Sequence, residues 1–271
     1  MTDIPNDPEE TMSETPAARM EVQGRVALIT LDRPKTRNAL GGAVATALHA
    51  ALMDAAADNA IRAVVLTGAG GAFSAGADLK EGLPEIHRVE DMINSRYRPS
   101  LELIIGMEKP VIAAVAGAAA GIGLSFALAC DLVVMAESAF LLAPFSTIGL
   151  LPDGGATWFL SRRLGYHRAY QLCVEAERIP AAVCLQQGLA NRVVADADLV
   201  DETLAWAARL AERAPLALAG TKLAMRQAMH LSLGESIALE ARMQNRCADS
   251  DDCREGVAAF LAKRKPEYKG R

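Results

Sequence analysis

Gly71-Ala72-Phe73-Ser74-Ala75-Gly76-Ala77-Asp78-Leu79-Lys80 is followed, some forty positions on, by a second small-residue run, Gly117-Ala118-Ala119-Ala120-Gly121-Ile122-Gly123. Each comes after an apolar, β-branched stretch, Ala63 to Thr67 and Val111 to Val115, and each opens onto a predicted helix. A strand that ends in such a turn leaves backbone N–H groups at the helix entry without intrahelical partners. Two of these turns can aim their free amides at one ligand oxygen, which is the construction of an oxyanion hole. For either run alone, glycines that close a turn and let a helix pack on a sheet are the simpler reading. The pair is what suggests a site.

Working outward, Met20 to Leu31 alternates and is broken at Gln23-Gly24, which reads as a β-hairpin. Gly42 to Asp58 carries Val44, Leu48, Leu52 and Met53 at helical spacing. Apolar strands at Ala63-Leu66, Val111-Val115 and Leu132-Met135, separated by helical stretches, predict a buried, mainly parallel sheet with crossover helices, an α/β fold. From Asp196 the pattern turns wholly helical: Ala197 to Arg213, Pro215 to His230, Gly234 to Ala248 and Asp251 to Arg264. These helices are amphipathic, with Ile237, Leu239, Met243, Val257, Phe260 and Leu261 available to a partner or to the chain's own core. The expected organisation is an acidic, proline-punctuated tail over 1–19, a core over 20–195 and a helical region over 196–271.

Composition excludes several classes. With 271 residues, 51% of them hydrophobic, the chain can bury a full core. A net charge of -5 argues against nucleic acid as the main partner, since phosphate-backbone binding needs a broad basic surface. The five cysteines are scattered with no C-x-x-C pair, and the four histidines form no H-x-x-x-H pair, so neither a disulfide framework nor a metal centre is expected. No apolar run reaches the roughly 20 residues that cross a bilayer. The acidic N-terminal stretch is the reverse of a basic targeting peptide, and the expected setting is the cytoplasm.

Four motifs resemble those of the crotonase superfamily, the enoyl-CoA hydratase/isomerase family, and occur in its order. They are Ala72 to Lys80, Gly117 to Asp131, Ile148-Gly149-Leu150-Leu151-Pro152-Asp153-Gly154-Gly155, and Glu255 to Pro266. The resemblance spans roughly residues 20 to 271. It implies a spiral of ββα units with a C-terminal helical region that mediates trimer formation, hence a homotrimer or a dimer of trimers. It implies an acyl-CoA thioester as substrate, with coenzyme A arriving as part of that substrate and no tightly bound cofactor. By the same resemblance the oxyanion-hole amides are those of Ala77 and Ile122. The family usually has Gly at the second position, which an amide donor tolerates provided the backbone keeps φ negative.

A thioester that loses an α or γ proton becomes an enolate, so a base is needed beside that hole. Hydratases of the family resemble one another in two glutamates that activate and deliver water. At the matching positions this chain has Ser125 and Phe145, which cannot act as a carboxylate pair. Asp153 remains as candidate base, among the apolar neighbours Phe145, Leu150 and Trp158, whose burial of the carboxyl would raise its pKa toward neutrality. From local sequence alone, an aspartate capping a helix that begins near Gly155 fits equally well. Family members with this Pro-Asp-Gly-Gly pattern and without the glutamates include the ring-epoxide isomerases of phenylacetyl-CoA breakdown and the Δ3,Δ2-enoyl-CoA isomerases. One carboxylate suffices there to move a proton between two carbons.

Coenzyme A calls for local cations. Arg33, Lys35, Lys80 and, in the tail, Lys263 beside Phe260 match family contacts to the nucleotide, with Ala75, Asp78 and Leu79 lining the same loop; solvated surface charge is the alternative for each cation. Asp78 is read as ordering its loop and Asn38 as a turn or helix-capping residue. Phe73, Leu83, Ile86, Ser125, Phe145 and Trp158 are the expected acyl-pocket residues. Ser125 as a nucleophile is a weaker reading, because no G-x-S-x-G elbow or activating histidine accompanies it. The favoured activity is enoyl-CoA isomerisation. Its alternatives are hydration or thioester hydrolysis with water placed by Asp153, and a noncatalytic acyl-CoA-binding protein.

Overall fold

The computed structural model describes residues 16–82 and 88–271. Most of the predicted tail, and Leu83 and Ile86 of the predicted pocket, lie outside the described residues. The hairpin is β1 (Ala18–Gln23) and β2 (Val26–Leu31), antiparallel with Gln23 opposite Val26. Gly24, at φ 61, occupies the first turn position, where a tight hairpin needs positive φ.

Helix α1 (Gly42–Ala57) crosses to β3 (Ala63–Gly68) and buries Val44, Leu48 and Leu52, while Met53 faces outward. Next come α2 (Val89–Met92) and α3 (Arg98–Gly106), joined by a π turn over Ile93–Tyr97. Strand β4 (Val111–Val115), the short β5 (Ala118–Ala120) and α4 (Ile122–Ala129) follow, then β6 (Leu132–Ala136) and β7 (Phe140–Leu142). Helices α5 (Ala156–Leu164) and α6 (Tyr166–Glu175) lead to β8 (Ile179–Pro180), α7 (Ala181–Gln186) and β9 (Arg192–Val194). The chain closes with α8 (Leu199–Ala211), α9 (Pro215–Ala228), α10 (Leu233–Ala248) and α11 (Asp251–Leu261).

The main sheet has the order β1-β2-β3-β4-β6-β9, parallel from β2 onward, and a second sheet pairs β5, β7 and β8. Strands β3 and β4 are buried along nearly their whole length, as parallel strands covered on both faces must be. Residues of α8, among them Leu199, Ala207 and Ala211, join the hydrophobic core. By contrast Leu233, Ile237, Val257, Phe260 and Leu261 of the last two helices stay exposed.

Asp131 ties these parts together. Its carboxylate pairs with Lys222 at 2.7 Å and Arg226 at 2.9 Å and accepts the Val111 N–H at 2.9 Å, fixing α9 to the start of β4. No helix among the described residues is long and apolar enough to cross a membrane. Nor do the described residues group three or more His, Cys, Asp or Glu where they could hold a metal ion.

Candidate active site

Ligand sites of open α/β sheets lie outside the carboxyl ends of the strands. Here those ends are the turns after β2, β3 and β4. Ser74 bridges Ala119 in parallel, the Ser74 N–H donating to Ala118 O at 3.0 Å and the Ala120 N–H to Ser74 O at 2.9 Å. The loop after β3 therefore runs beside β5. Three residues beyond the bridge, in the same parallel sense, are Ala77 and Ile122.

Two glycines make this approach possible. A Cβ on Gly76, at φ 98, would stand 2.8 Å from Ala120 O and 3.5 Å from Gly121 Cα. Gly121, at φ 55, would carry its own Cβ 3.6 Å from Gly76 Cα. The Leu40 N–H donates to Gly76 O at 2.7 Å, which fixes the plane of the Gly76–Ala77 peptide and so the direction of the Ala77 N–H. The Leu124 N–H does the same for Gly121 O at 3.0 Å. Neither the Ala77 nor the Ile122 N–H has an acceptor among the described residues, and Ile122 is not among the residues with positive φ. Two neighbouring, oriented, unspent amides can meet one developing negative charge.

The order of these loops rests on Asn38, which sequence reading takes for a turn or capping residue. It is a turn residue, at φ 56, but the N-cap of α1 is Gly41. Wholly buried, its side chain accepts from the Arg33 N–H at 2.9 Å and donates to Ala69 O at 2.9 Å and Ala72 O at 2.7 Å. Ser74 Oγ donates to Asn38 O at 2.8 Å. Asn38 thereby joins the turn after β2 to the loop after β3. A Cβ on Gly70 would collide with Pro34, so Arg33 and Lys35 sit beside the same loop. Asp78 accepts the Lys80 N–H at 3.0 Å and caps a short turn, the loop-ordering role expected of it. Ala75, Leu79 and Lys80 are exposed next to it.

The Asp153 loop packs against the Ile122 side chain through Gly154. A Cβ on Gly154 would collide with Ile122 Cδ1 and stand 3.1 Å from Ser125 Cβ. Ser125 Oγ donates to the Asp153 carbonyl at 2.9 Å. The helix that follows is capped not by Asp153 but by Gly155, at φ 84, with no side-chain cap. The capping alternative is thus removed. Asp153 Oδ1 is buried and has no hydrogen-bond partner among the described residues. Burial pushes the carboxyl up to about 6, its own backbone N–H opposing the shift. The buried Tyr97 phenol, raised chiefly by burial, also feels the Asp153 charge, which brings the π turn within electrostatic reach of that carboxyl.

Other predicted positions fall differently. Phe145 is buried, its ring 3.9 Å from a Cβ at Gly121, so an aromatic edge occupies the ground beside the paired amides. Ser125 and Phe73 have no exposed surface: Ser125 is a strut under the Asp153 loop and Phe73 belongs to the core, so neither lines the pocket as expected from sequence. With its hydroxyl committed to Asp153 O, Ser125 has no histidine partner among the described residues either. Trp158 lines a cavity of about 490 Å³ that begins at Gly154 and Gly155. Phe260, in the last turn of α11, and Lys263, just beyond it, are exposed.

The family described as Enoyl-CoA hydratase/isomerase matches residues 21–271. The chain belongs to that family. It is 43% identical to the "Probable enoyl-CoA hydratase" of Rhodobacter capsulatus, over 93% of this chain and 98% of that one. It is 35% identical to the 1,2-epoxyphenylacetyl-CoA isomerase of Escherichia coli, over 92% and 97% respectively. Among solved structures, the enoyl-CoA hydratase of Bacillus anthracis superposes with a TM-score of 0.90 at 32% identity, covering 94% of this chain and all of that one. The fold is accordingly the crotonase spiral, and this enoyl-CoA hydratase/isomerase family acts on acyl-CoA thioesters.

Proposed function

We propose that this member of the enoyl-CoA hydratase/isomerase family isomerises an enoyl-CoA or a related CoA thioester. The amides of Ala77 and Ile122 hold the thioester oxygen, and the Asp153 carboxylate removes a proton from the carbon next to the thioester, forming the enolate, then returns that proton to the carbon two positions along and is a carboxylate again. One observation carries the reading: Asp153, its Oδ1 buried and without a hydrogen-bond partner among the described residues, precedes Gly154, which packs against Ile122, one of the two residues with unspent amides, while Ser125 and Phe145 stand where hydratases resemble one another in having glutamates. Its pKa near 6 suits a group that must both take and return a proton near neutral pH. Losing one oxyanion donor costs on the order of 2.7–4 kcal/mol, so the paired amides supply a large share of the rate.

Arg33, Lys35 and Lys80, with Ala75, Asp78 and Leu79, make the nucleotide end of the thioester site, and Phe260 and Lys263 reach it from a neighbouring subunit. Assembly as a homotrimer or a dimer of trimers is supported by the apolar residues that α10 and α11 leave exposed. Coenzyme A enters only with the substrate, in the cytoplasm. A second reading, hydration with water placed by Asp153, is favoured by the hydratase name of the 43% identical relative. Purified protein given a 3-enoyl-CoA and, separately, a 2-enoyl-CoA decides between them. Isomerisation raises the conjugated-thioester absorbance of the first with no change of mass; hydration adds one water to the second.

A further inference from the structure

Two cavities lie back to back behind the Asp153 loop. The first, of about 490 Å³, starts at Gly154 and Gly155 and is walled by Ile93, Leu101 and Ile105. The second, of about 480 Å³, is walled by Leu132, Leu210, Leu218, Met225 and Met229. Two residues, Trp158 and Arg226, line both. They are held very differently. Arg226 is fixed by Asp131 at 2.9 Å and by the Ala129 carbonyl at 2.8 Å. The Trp158 indole makes no hydrogen bond among the described residues and is held by packing on the hydrophobic core and by ring contacts. These are a stack on the exposed His230 with centroids 6.1 Å apart, the Arg162 guanidinium 4.3 Å above the ring, and the edge of Phe159.

We propose that Trp158 is the wall that sets acyl-chain length, closing the cavity that begins at Gly154, the residue after Asp153, and separating it from the second cavity. The inference rests on the reading that an acyl-CoA thioester presents its acyl group beside Asp153. Chains that fit the first cavity bury a further methylene at each step; longer ones meet the indole. Because packing and ring contacts rather than hydrogen bonds hold that indole, removing it opens the shared wall without breaking a hydrogen bond among the described residues.

Equilibrium binding of saturated acyl-CoA thioesters from butyryl to dodecanoyl, to wild type and Trp158→Ala, tests this without any need for turnover, so a failure of the isomerase reading leaves the test intact. In wild type, affinity should rise roughly fourfold per added methylene and then stop rising at a definite length. In Trp158→Ala the rise should continue to longer chains. The same stopping length in both proteins, or no stopping length in wild type, would overturn the proposal.

The second and only other tryptophan, Trp206, offers a check that leaves the wall intact. In a Trp206→Phe variant the remaining indole fluorescence should change with thioesters at and beyond the stopping length and not with butyryl-CoA. An equal response to every length would contradict a wall that only long chains meet.

Discussion

Gly76 lies against Gly121, each directing an ideal Cβ to 3.5 or 3.6 Å from the other's Cα, and this contact sets the amides of Ala77 and Ile122 in one place. The Ser74–Ala119 bridge fixes the alignment, and the Leu40 N–H holds the Gly76 carbonyl turned away from the site. Gly76→Ala puts a methyl at φ 98 against Ala120 O. The expected result is a fall in kcat of roughly 10²–10³, as for loss of one oxyanion donor, with at least about 1 kcal/mol of stability lost. Steady-state kinetics beside urea unfolding reads both.

Asp153 links activity and stability to pH in opposite directions. Its carboxyl titrates near 6 in the folded chain against the ordinary 3.8, so the native state binds the proton more tightly. Its contribution to stability is therefore greatest below 3.8, falls as pH rises toward 6 and is flat above. The ionised base gives activity the reverse slope: kcat/KM should rise with pH to a plateau above about 6. Asp153→Asn should abolish turnover and yet stabilise the fold above pH 6, by up to ~3 kcal/mol. Thermal unfolding at pH 5 and pH 8 checks the sign.

Asn38 acts through others. Asn38→Ala leaves the Arg33 N–H and the carbonyls of Ala69 and Ala72 without their buried partner, a loss of roughly 2–4 kcal/mol. Because the released segment carries Ala77, kcat should fall while the KM for a short acyl-CoA changes little. Urea unfolding and kinetics on the same preparation separate the two effects.

The clamp on α9 bears first on stability. Lys222 is held below the ordinary lysine range first by burial, against which Asp131 works. Asp131→Ala should leave Lys222 and Arg226 buried without a counter-ion and destabilise the fold by about 3–5 kcal/mol. Denaturant unfolding of the variant measures it, with activity per folded molecule expected to persist.

Strands β3, β4 and β6 were legible because each is a continuous apolar run that a parallel sheet covers on both faces, and β1 and β2 because their pattern breaks at Gln23-Gly24. The small second sheet was not: Ala118–Ala120, Phe140–Leu142 and Ile179–Pro180 are too short for any period to declare itself. The pairing of the two glycine-rich loops was readable because each follows such a strand, whereas the Ser74–Ala119 register that aligns them depends on distant chain segments. Asp153 was ambiguous for a local reason. Cap and base share one sequence, and only the φ of 84 at Gly155 and the buried, unpartnered Oδ1 separate them. Ser125 and Phe73 misled because side-chain size and polarity do not say which face of a loop or helix is turned inward. Asp131 stands in a family motif, but its partners Lys222 and Arg226 come from the far end of the chain, beyond the reach of local pattern.

The central claim is that Asp153 carries a proton from one carbon to another. The most direct measurement follows a 3-enoyl-CoA deuterated at C2, in ordinary water, by product mass and label position, with wild type and Asp153→Asn. A 2-enoyl-CoA with part of the deuterium on C4, formed by wild type and not by the variant, is the predicted result. A product heavier by one water, or undiminished conversion by Asp153→Asn, would contradict the account.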